Sequence, residues 1–375
     1  MKGLFIWACS YCRSTFGLYR ELIGQLGVPA CIGLWRIGEN TLRTAVGFSG
    51  SEFDDLPIVE VGENLGRGLK LLDGHPGWNH LFCVCQASPV FRKLAVEAKR
   101  RGCGVGVMCE APCNMFYGWR RAAKAVYLRT LLPHRMKEVV KAADFFVNYS
   151  GDGTDAAAMA GWPVDKILPF GYFPPPIAGS KCVRRTAPGR PFTILATGIM
   201  SRHRGADVLV EALRRLKERG VEYRAVITQN GELLETVRRK AAGCGLPVEL
   251  PGFVAIEELI KLYETCSLYV ACGRDEPWGM RVNDALNCGA PLGVSRGMGG
   301  VQLVDRYGCG FAFSRADAAD LADKLERAAT DGDYYREIAG NAFKAAEAIS
   351  PRNKAAELIA VIEKRRPGWM KGAGR

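Results

Sequence analysis

Two carboxylates and two arginines in the second half of the chain have the types and spacing to do chemistry. The stretch "RDEPWGMRVNDALNCGAPLGVSRGMGG", residues 274–300, sets Glu276 before a Pro-Trp-Gly turn and Asp284 eight positions later, in a helix predicted to begin near Met280. A carboxylate accepts hydrogen bonds from two neighbouring hydroxyls at once. Gly279 lets the backbone approach a ligand closely. The first turn of the helix presents unpaired N–H groups and the positive end of the helix dipole, a setting that suits an anion. Gly289 then ends the helix and Pro291 prevents its continuation. Further up the chain, "SRHRG" holds Arg202 and Arg204 directly before another predicted helix, with His203 between them.

These groups need rigid elements to hold them, and the sequence alternates short apolar strands with amphipathic helices. "GLFIWACS" precedes "FGLYRELIGQLG", and "LFCVCQA" precedes "PVFRKLAVEAKRRG" and "CGVGVM"; "DFFVNYS" and "DKILPFGYF" follow. The pattern predicts parallel α/β sheets. Residues 173–191, "FPPPIAGSKCVRRTAPGRP", are rich in proline, glycine and charge and read as an interdomain linker. The alternation then restarts with "FTILATG", "ADVLVEALRRLKERG", "YRAVITQNG", "ELLETVRRKAAG", "IEELIKLYETC" and "SLYVACG". Val208, Leu209, Ala212, Leu213 and Leu216 recur on one helical face. Two open α/β sheets joined by a hinge predict a cleft, with ligands beyond the carboxyl ends of the strands.

A chain of 375 residues exceeds what one core usually holds, which agrees with two domains. The apolar start "MKGLFIWACSYCR" has a run of only about seven residues and no small-residue cleavage site, so it reads as a buried first strand. No run approaches the roughly 20 residues of a membrane span, and a cytoplasmic protein is expected. The fourteen cysteines are expected to stay reduced; Cys9 and Cys12 form one C-x-x-C, but no second such pair or nearby histidine pair completes a zinc set.

The net charge of +12 favours acidic partners. It concentrates in residues 119–141, where Arg120, Arg121, Lys124, Arg129, Arg135, Lys137 and Lys141 interleave with Trp119, Val126, Tyr127, Leu131 and Leu132. That stretch reads either as a basic amphipathic helix lying on anionic lipid or as a solvated helix face.

The second half resembles the retaining family-4 glycosyltransferases of the GT-B fold. Four blocks in order carry the resemblance: "ILATGIMSRHRGADVLVEAL", "VITQNGELLETV", "LPGFVAIEELIKLYETCSLYVACGRDEPWG" and "DALNCGAPLGVSRGMGG". It implies two Rossmann-like domains with an interdomain cleft. Residues 1–175 would form the acceptor-side domain, with a C-terminal helix 352–375 packing back on it, and residues 176–351 the donor-binding domain.

The resemblance also implies roles. Glu276 would bind hydroxyls of the transferred sugar, Asp284 the ribose diol, and Arg204 the diphosphate as its negative charge grows; Glu276 and Arg204 are the expected catalytic pair. Gly198, Ser201, Arg202, Asn230, Gly231, Phe253, Val254, Pro277, Trp278, Gly279, Met280 and Arg281 complete the expected donor site. Gly17 and Glu110 are the candidates on the N-domain side. The implied reaction retains configuration, with the departing phosphate taking the acceptor's proton. It needs no cofactor and no metal, and no Asp-x-Asp stands at a strand end. The expected partners are a nucleotide-sugar donor, UDP favoured over GDP, and a glycan or lipid-linked acceptor of cell-surface polysaccharide or lipopolysaccharide synthesis. An anionic membrane surface, on the inner face of the cytoplasmic membrane, would join them through residues 119–141; no specific nucleic acid is expected.

The chain departs from the family pattern at four places. Ile199 stands where an arginine usually follows the loop glycine, leaving one cation missing unless Arg202 replaces it. Asp284 is one methylene, about 1.5 Å, shorter than the usual glutamate. "CRSTFG" with Gly17 replaces a Gly-Gly turn after the first strand, and Cys109 and Glu110 stand where a histidine is usual. A nucleotide-sugar 2-epimerase of the same fold is the rival enzyme, although none of the four histidines sits in a clear site. A non-enzymatic polyanion binder is the other rival, although no nucleic-acid module supports it.

Overall fold

The structure is a computed structural model and describes residues 2–10, 12–35, 55–83, 85–112, 118–151 and 154–370. The chain divides into two units, residues 1–175 with 351–375 and residues 176–350.

Unit 1 runs β1 (Leu4–Ala8), α1 (Arg13–Leu26), β2 (Ala30–Leu34), β3 (Ile58–Glu60), α2 (Leu65–Gly74), β4 (Asn79–Phe82), α3 (Pro89–Arg100), β5 (Val105–Cys109), α4 (Gly118–Arg129), α5 (Leu131–Ala142), β6 (Phe145–Asn148), α6 (Thr154–Met159) and β7 (Ile167–Pro169). Its seven strands are parallel in the order β3-β2-β1-β4-β5-β6-β7. Every residue of β1 is buried, as a central strand covered on both faces requires. The apolar start is therefore a strand. Strands β2 and β3 are absent from the sequence reading because "ACIGL" carries a glycine at its fourth position and "IVE" is only three residues long.

Unit 2 runs β8 (Phe192–Ala196), α7 (Ala206–Glu218), β9 (Tyr223–Thr228), α8 (Leu234–Gly243), β10 (Val248–Gly252), α9 (Ile256–Thr265), β11 (Leu268–Ala271), α10 (Arg281–Asn287), β12 (Leu292–Ser295), α11 (Val301–Tyr307), β13 (Gly310–Phe313), α12 (Ala318–Thr330) and α13 (Gly332–Ala348). Its parallel sheet has the order β10-β9-β8-β11-β12-β13. The predicted apolar face of α7 is buried as a set, with Val208, Leu209, Ala212, Leu213 and Leu216 inside. Successive connections leave β8 toward one side of the sheet and β11 toward the other, so the sheet opens between their carboxyl ends.

The segment read as a linker is largely part of unit 2. Arg185 donates to the carbonyls of Tyr263 at 2.6 Å, Glu264 at 3.0 Å, Cys266 at 2.8 Å and Cys288 at 3.0 Å. Most of these carbonyls belong to the last turn of α9 and its exit, where a cation opposes the negative helix end. The boundary between the units falls within the proline run, between Pro175 and Pro176.

The final helix, α14 (Pro351–Arg365), returns to unit 1 and buries Ala355, Leu358, Ile359 and Ile362. Beyond it, the Trp369 indole donates to Asp144 Oδ2 at 3.0 Å and the Trp369 carbonyl accepts from Asn79 at 2.6 Å. Gly17 is not in a turn, contrary to the sequence reading. It is buried in the middle of α1, where a Cβ would stand 2.7 Å from the Pro175 ring.

Residues 119–141 form two helices rather than one, broken between α4 and α5 at Thr130. Trp119, Val126 and Leu131 are exposed on them, while Leu132, Met136 and Val139 pack inward. The side chain of Arg121 lies outside the described residues. Among the described residues, no helix is long and apolar enough to cross a membrane, and all cysteines are free.

Candidate active site

The loops leaving β8 and β11 line a pocket open to solvent. Gly198, Arg204, Glu276, Gly279 and Arg281 line it, with Ile199, Thr197, Tyr269 and Met298. Residues 78 positions apart in sequence thus meet where the strand order reverses.

The turn carrying Glu276 is built around Met298. Glu276 N–H donates to the Gly297 carbonyl at 2.9 Å, and its own carbonyl accepts from Gly299 N–H at 3.1 Å. The Gly273 N–H points at the Met298 sulfur, 3.2 Å away. At Gly279, φ is +89° and a Cβ would lie 2.2 Å from the Met298 methyl, so no other residue fits without rearrangement. The Trp278 indole is buried and donates to Asn283 Oδ1 at 2.7 Å, which ties the turn to α10. The Glu276 carboxylate is buried and ion-paired with the Arg204 guanidinium, which is 40% exposed.

The loop carrying Arg204 is held by a second set of contacts. Ser201 Oγ accepts from Arg204 N–H at 3.2 Å, and Gly205, with φ +72°, starts α7 where a Cβ would meet the Cys272 carbonyl at 2.1 Å. Arg274 clamps this loop to the Glu276 turn. Its guanidinium grips both Asp207 oxygens at 2.8 Å and the Arg202 carbonyl, and its N–H reaches the His203 carbonyl at 3.0 Å. Burial pushes the Asp207 carboxyl up, but the Arg274 guanidinium outweighs it and holds the group below the usual range. Burial lowers His203, with Glu276 opposing.

Beneath the pocket, Thr197 Oγ1 meets the Tyr263 and Tyr269 hydroxyls at 2.9 and 3.1 Å. Burial pushes the Tyr269 phenol up to about 12 and raises Tyr263 as well, so both remain protonated.

Not every candidate converges on the pocket. Asp284 is half-buried on α10, beyond the lining residues, and its charge acts on Tyr263. Arg202 is exposed and likewise outside the lining, its N–H donating to Glu232 Oε1 at 3.0 Å. Asn230 and Gly231 lie at the carboxyl end of β9, the Asn230 carbonyl accepting from Met200 N–H at 3.0 Å. Phe253, Val254 and Met280 follow other strand ends or turns, with Phe253 and Met280 exposed; Pro277 is half-buried.

The free N–H donors expected at the start of α10 are partly used. Val282 and Asn283 N–H bind the Gly279 and Met280 carbonyls at 3.1 and 3.0 Å, and the helix has only seven residues. Reasoning from sequence missed the Arg274–Asp207 clamp and the Thr197, Tyr263 and Tyr269 cluster, because no local spacing reports contacts between such distant positions.

In unit 1, Glu110 follows β5 and is exposed, so it is not a buried structural carboxylate. The buried Asn148 and Ser150 side chains accept from Ala111 N–H at 3.1 and 2.9 Å and fix this loop. The Glu110 carbonyl accepts from Gln86 at 2.8 Å, and its carboxylate bonds the Tyr172 phenol, which stacks on Tyr149.

Residues 183–345 match the family model described as glycosyl transferases group 1, and unit 2 is a module of that group. The chain is 27% identical to mannosylfructose-phosphate synthase of Agrobacterium fabrum over 216 residues, 53% of this chain and 47% of that one. It is also 27% identical over 166 residues to the GDP-mannose-dependent α-(1-6)-phosphatidylinositol dimannoside mannosyltransferase of Mycobacterium tuberculosis, 44% of this chain and 42% of that one. The chain thus spans under half the length of these curated relatives. In fold it is similar to HepE of Anabaena, solved in complex with UDP and glucose, with a TM-score of 0.66, 14% identity and coverage of 97% of this chain and all of that one. The architecture, two Rossmann-like units with parallel sheets, is that of the GT-B glycosyltransferases.

Proposed function

We propose that the chain transfers a sugar, with retention of configuration, from a nucleoside-diphosphate sugar to a glycan or lipid-linked acceptor of the cell surface. The observation carrying this reading is the Glu276–Arg204 pair on a glycine-walled pocket at the sheet's switch point, inside the matched residues. Glu276 would accept hydrogen bonds from vicinal hydroxyls of the transferred sugar. Arg204 would stabilise the diphosphate as the glycosidic bond breaks, a contribution of about 3 kcal/mol in comparable sites. The leaving phosphate would take the acceptor's proton, and the arginines would supply the positive charge for which other transferases use a metal. The names of the sequence relatives support a mannose donor carried by GDP, while the fold relative's bound UDP supports the UDP-sugar expected from sequence. The exposed Trp119, Val126 and Leu131 among basic residues support peripheral contact with an anionic membrane face.

A panel of UDP- and GDP-sugars, scored for slow hydrolysis and for thermal protection, tests the reading. One donor should be hydrolysed and should raise Tm. Protection by none of them, together with no hydrolysis, would remove the donor assignment.

A further inference from the structure

Ile199 stands where the resembled family places a second loop cation, so Arg204 is the arginine that this loop brings to the pocket. The Ile199 side chain is 56% exposed and lines the pocket directly after Gly198. Arg202, the nearest candidate in sequence, is not among the lining residues. Arg281 is. It enters from α10, and its guanidinium lies across Gly198: a Cβ on that glycine would stand 3.4 Å from Arg281 Nε and 3.7 Å from Cζ.

Two further facts set Arg281 apart. Arg204 is engaged by Glu276, whereas no carboxylate among the described residues is ion-paired with the half-buried Arg281. The Arg281 charge also reaches the Tyr269 and Tyr263 phenols beneath the pocket, where it opposes the effect of burial. A half-buried guanidinium that no ion pair engages is available to an anion entering the pocket.

We infer that Arg281 is the second diphosphate-binding cation of this site, supplied from α10 in place of the one missing at Ile199. The inference rests on the donor reading above. Arg204 and Arg281 would then both face the diphosphate, with side-chain-free Gly198 leaving room for the Arg281 guanidinium. Guanidinium suits this place because its planar fork meets two phosphate oxygens at once.

The test is calorimetric titration of the full chain with UDP, GDP and the matching nucleosides uridine and guanosine. Arg281→Ala should weaken whichever diphosphate binds by about tenfold or more, and its nucleoside by less than about twofold, because a charge-assisted phosphate contact is lost. Arg281→Lys should keep part of the affinity, which separates charge from folding. Ile199→Arg in the Arg281→Ala background should restore diphosphate binding by returning the cation to the loop. Unchanged diphosphate affinity in Arg281→Ala, or equal loss for nucleoside and diphosphate, overturns the inference while the donor reading stands. A wild type that binds neither UDP nor GDP overturns the donor reading and the inference with it.

Discussion

The Arg204 guanidinium and the Glu276 carboxylate form an ion pair in which the acid is buried and the arginine is 40% exposed. The two partners should therefore respond differently to mutation. Arg204→Ala leaves a buried carboxylate without its counter-charge and should cost about 1–3 kcal/mol of stability. Glu276→Gln leaves an exposed arginine that water can solvate and should cost less. Denaturant midpoints of the two variants and the double mutant check this, and equal losses would mean that the carboxylate is not burdened by burial.

For transfer, the expected order is reversed. Glu276→Ala should abolish activity with a near-normal melting curve, because the side chain serves the ligand rather than the core. Arg204→Ala should lower kcat by roughly a hundredfold, equivalent to about 3 kcal/mol of transition-state stabilisation. Wild-type turnover in a folded Glu276→Ala protein would sink the site assignment.

Arg274 is a positioning residue, since it touches Asp207 and two loop carbonyls and does not line the pocket. Releasing the loop that carries Arg204 should raise donor KM and lower kcat together, by about tenfold in kcat/KM, or roughly 1.4 kcal/mol. Arg274→Lys should rescue little, because an ammonium cannot grip both Asp207 oxygens in parallel. Full rescue by lysine would show that charge alone matters there.

Acid should destabilise unit 1 through His80. The residue is fully buried, Trp7 Nε1 donates to its Nδ1 at 3.1 Å, and burial pushes its pKa down to about 3. An unfolded histidine titrates near 6.5. Between those values the unfolded chain holds a proton that the folded chain lacks. Stability from the neutral ring is therefore complete above about pH 6.5 and declines toward pH 3, by at most about 1.4 kcal/mol per pH unit. His80→Gln keeps an acceptor for Trp7 and should flatten this decline in urea midpoints measured at pH 4.5 and 7.5. A variant as acid-sensitive as wild type would assign the decline to other groups.

Helices α4 and α5 make a salt-sensitive prediction. Each lysine or arginine near anionic lipid contributes on the order of 1 kcal/mol, fading within a Debye length. The protein should co-sediment with anionic vesicles at low salt and not with neutral ones, and Arg120, Arg121 and Lys124 changed together to Glu should abolish this without changing donor hydrolysis. Equal sedimentation of both proteins would leave these helices as ordinary solvated surface.

Much of the fold was legible because its signals are local. The apolar run of β1 and the face of α7 each state their own burial, and the four blocks of the second half lie in continuous sequence. What was illegible depends on distance or on size. Strand β3 is too short to show a period, and β2 is interrupted by Gly33. Gly17 looks like turn chemistry, yet it is a helix residue kept small by Pro175, 158 positions away. The proline-rich segment reads as a free linker because five carbonyl contacts to one arginine leave no mark on composition. At the pocket, Glu276 and Arg204 were visible as types in context. Their pairing, the Arg274 clamp and the packing of Arg281 on Gly198 emerge only when β8 and β11 lie side by side.

The return of α14 to unit 1 bears on how the chain is made. Unit 2 is one uninterrupted stretch, so its sheet can close as soon as it leaves the ribosome. Unit 1 is finished only when residues 351–370 have been synthesised, since Leu358, Ile362 and Trp369 complete a core begun by α1 and Asp144 hundreds of residues earlier. During translation residues 1–175 wait for α14. A nascent chain halted before that point would expose the apolar flank of α1, making it the natural target for a chaperone.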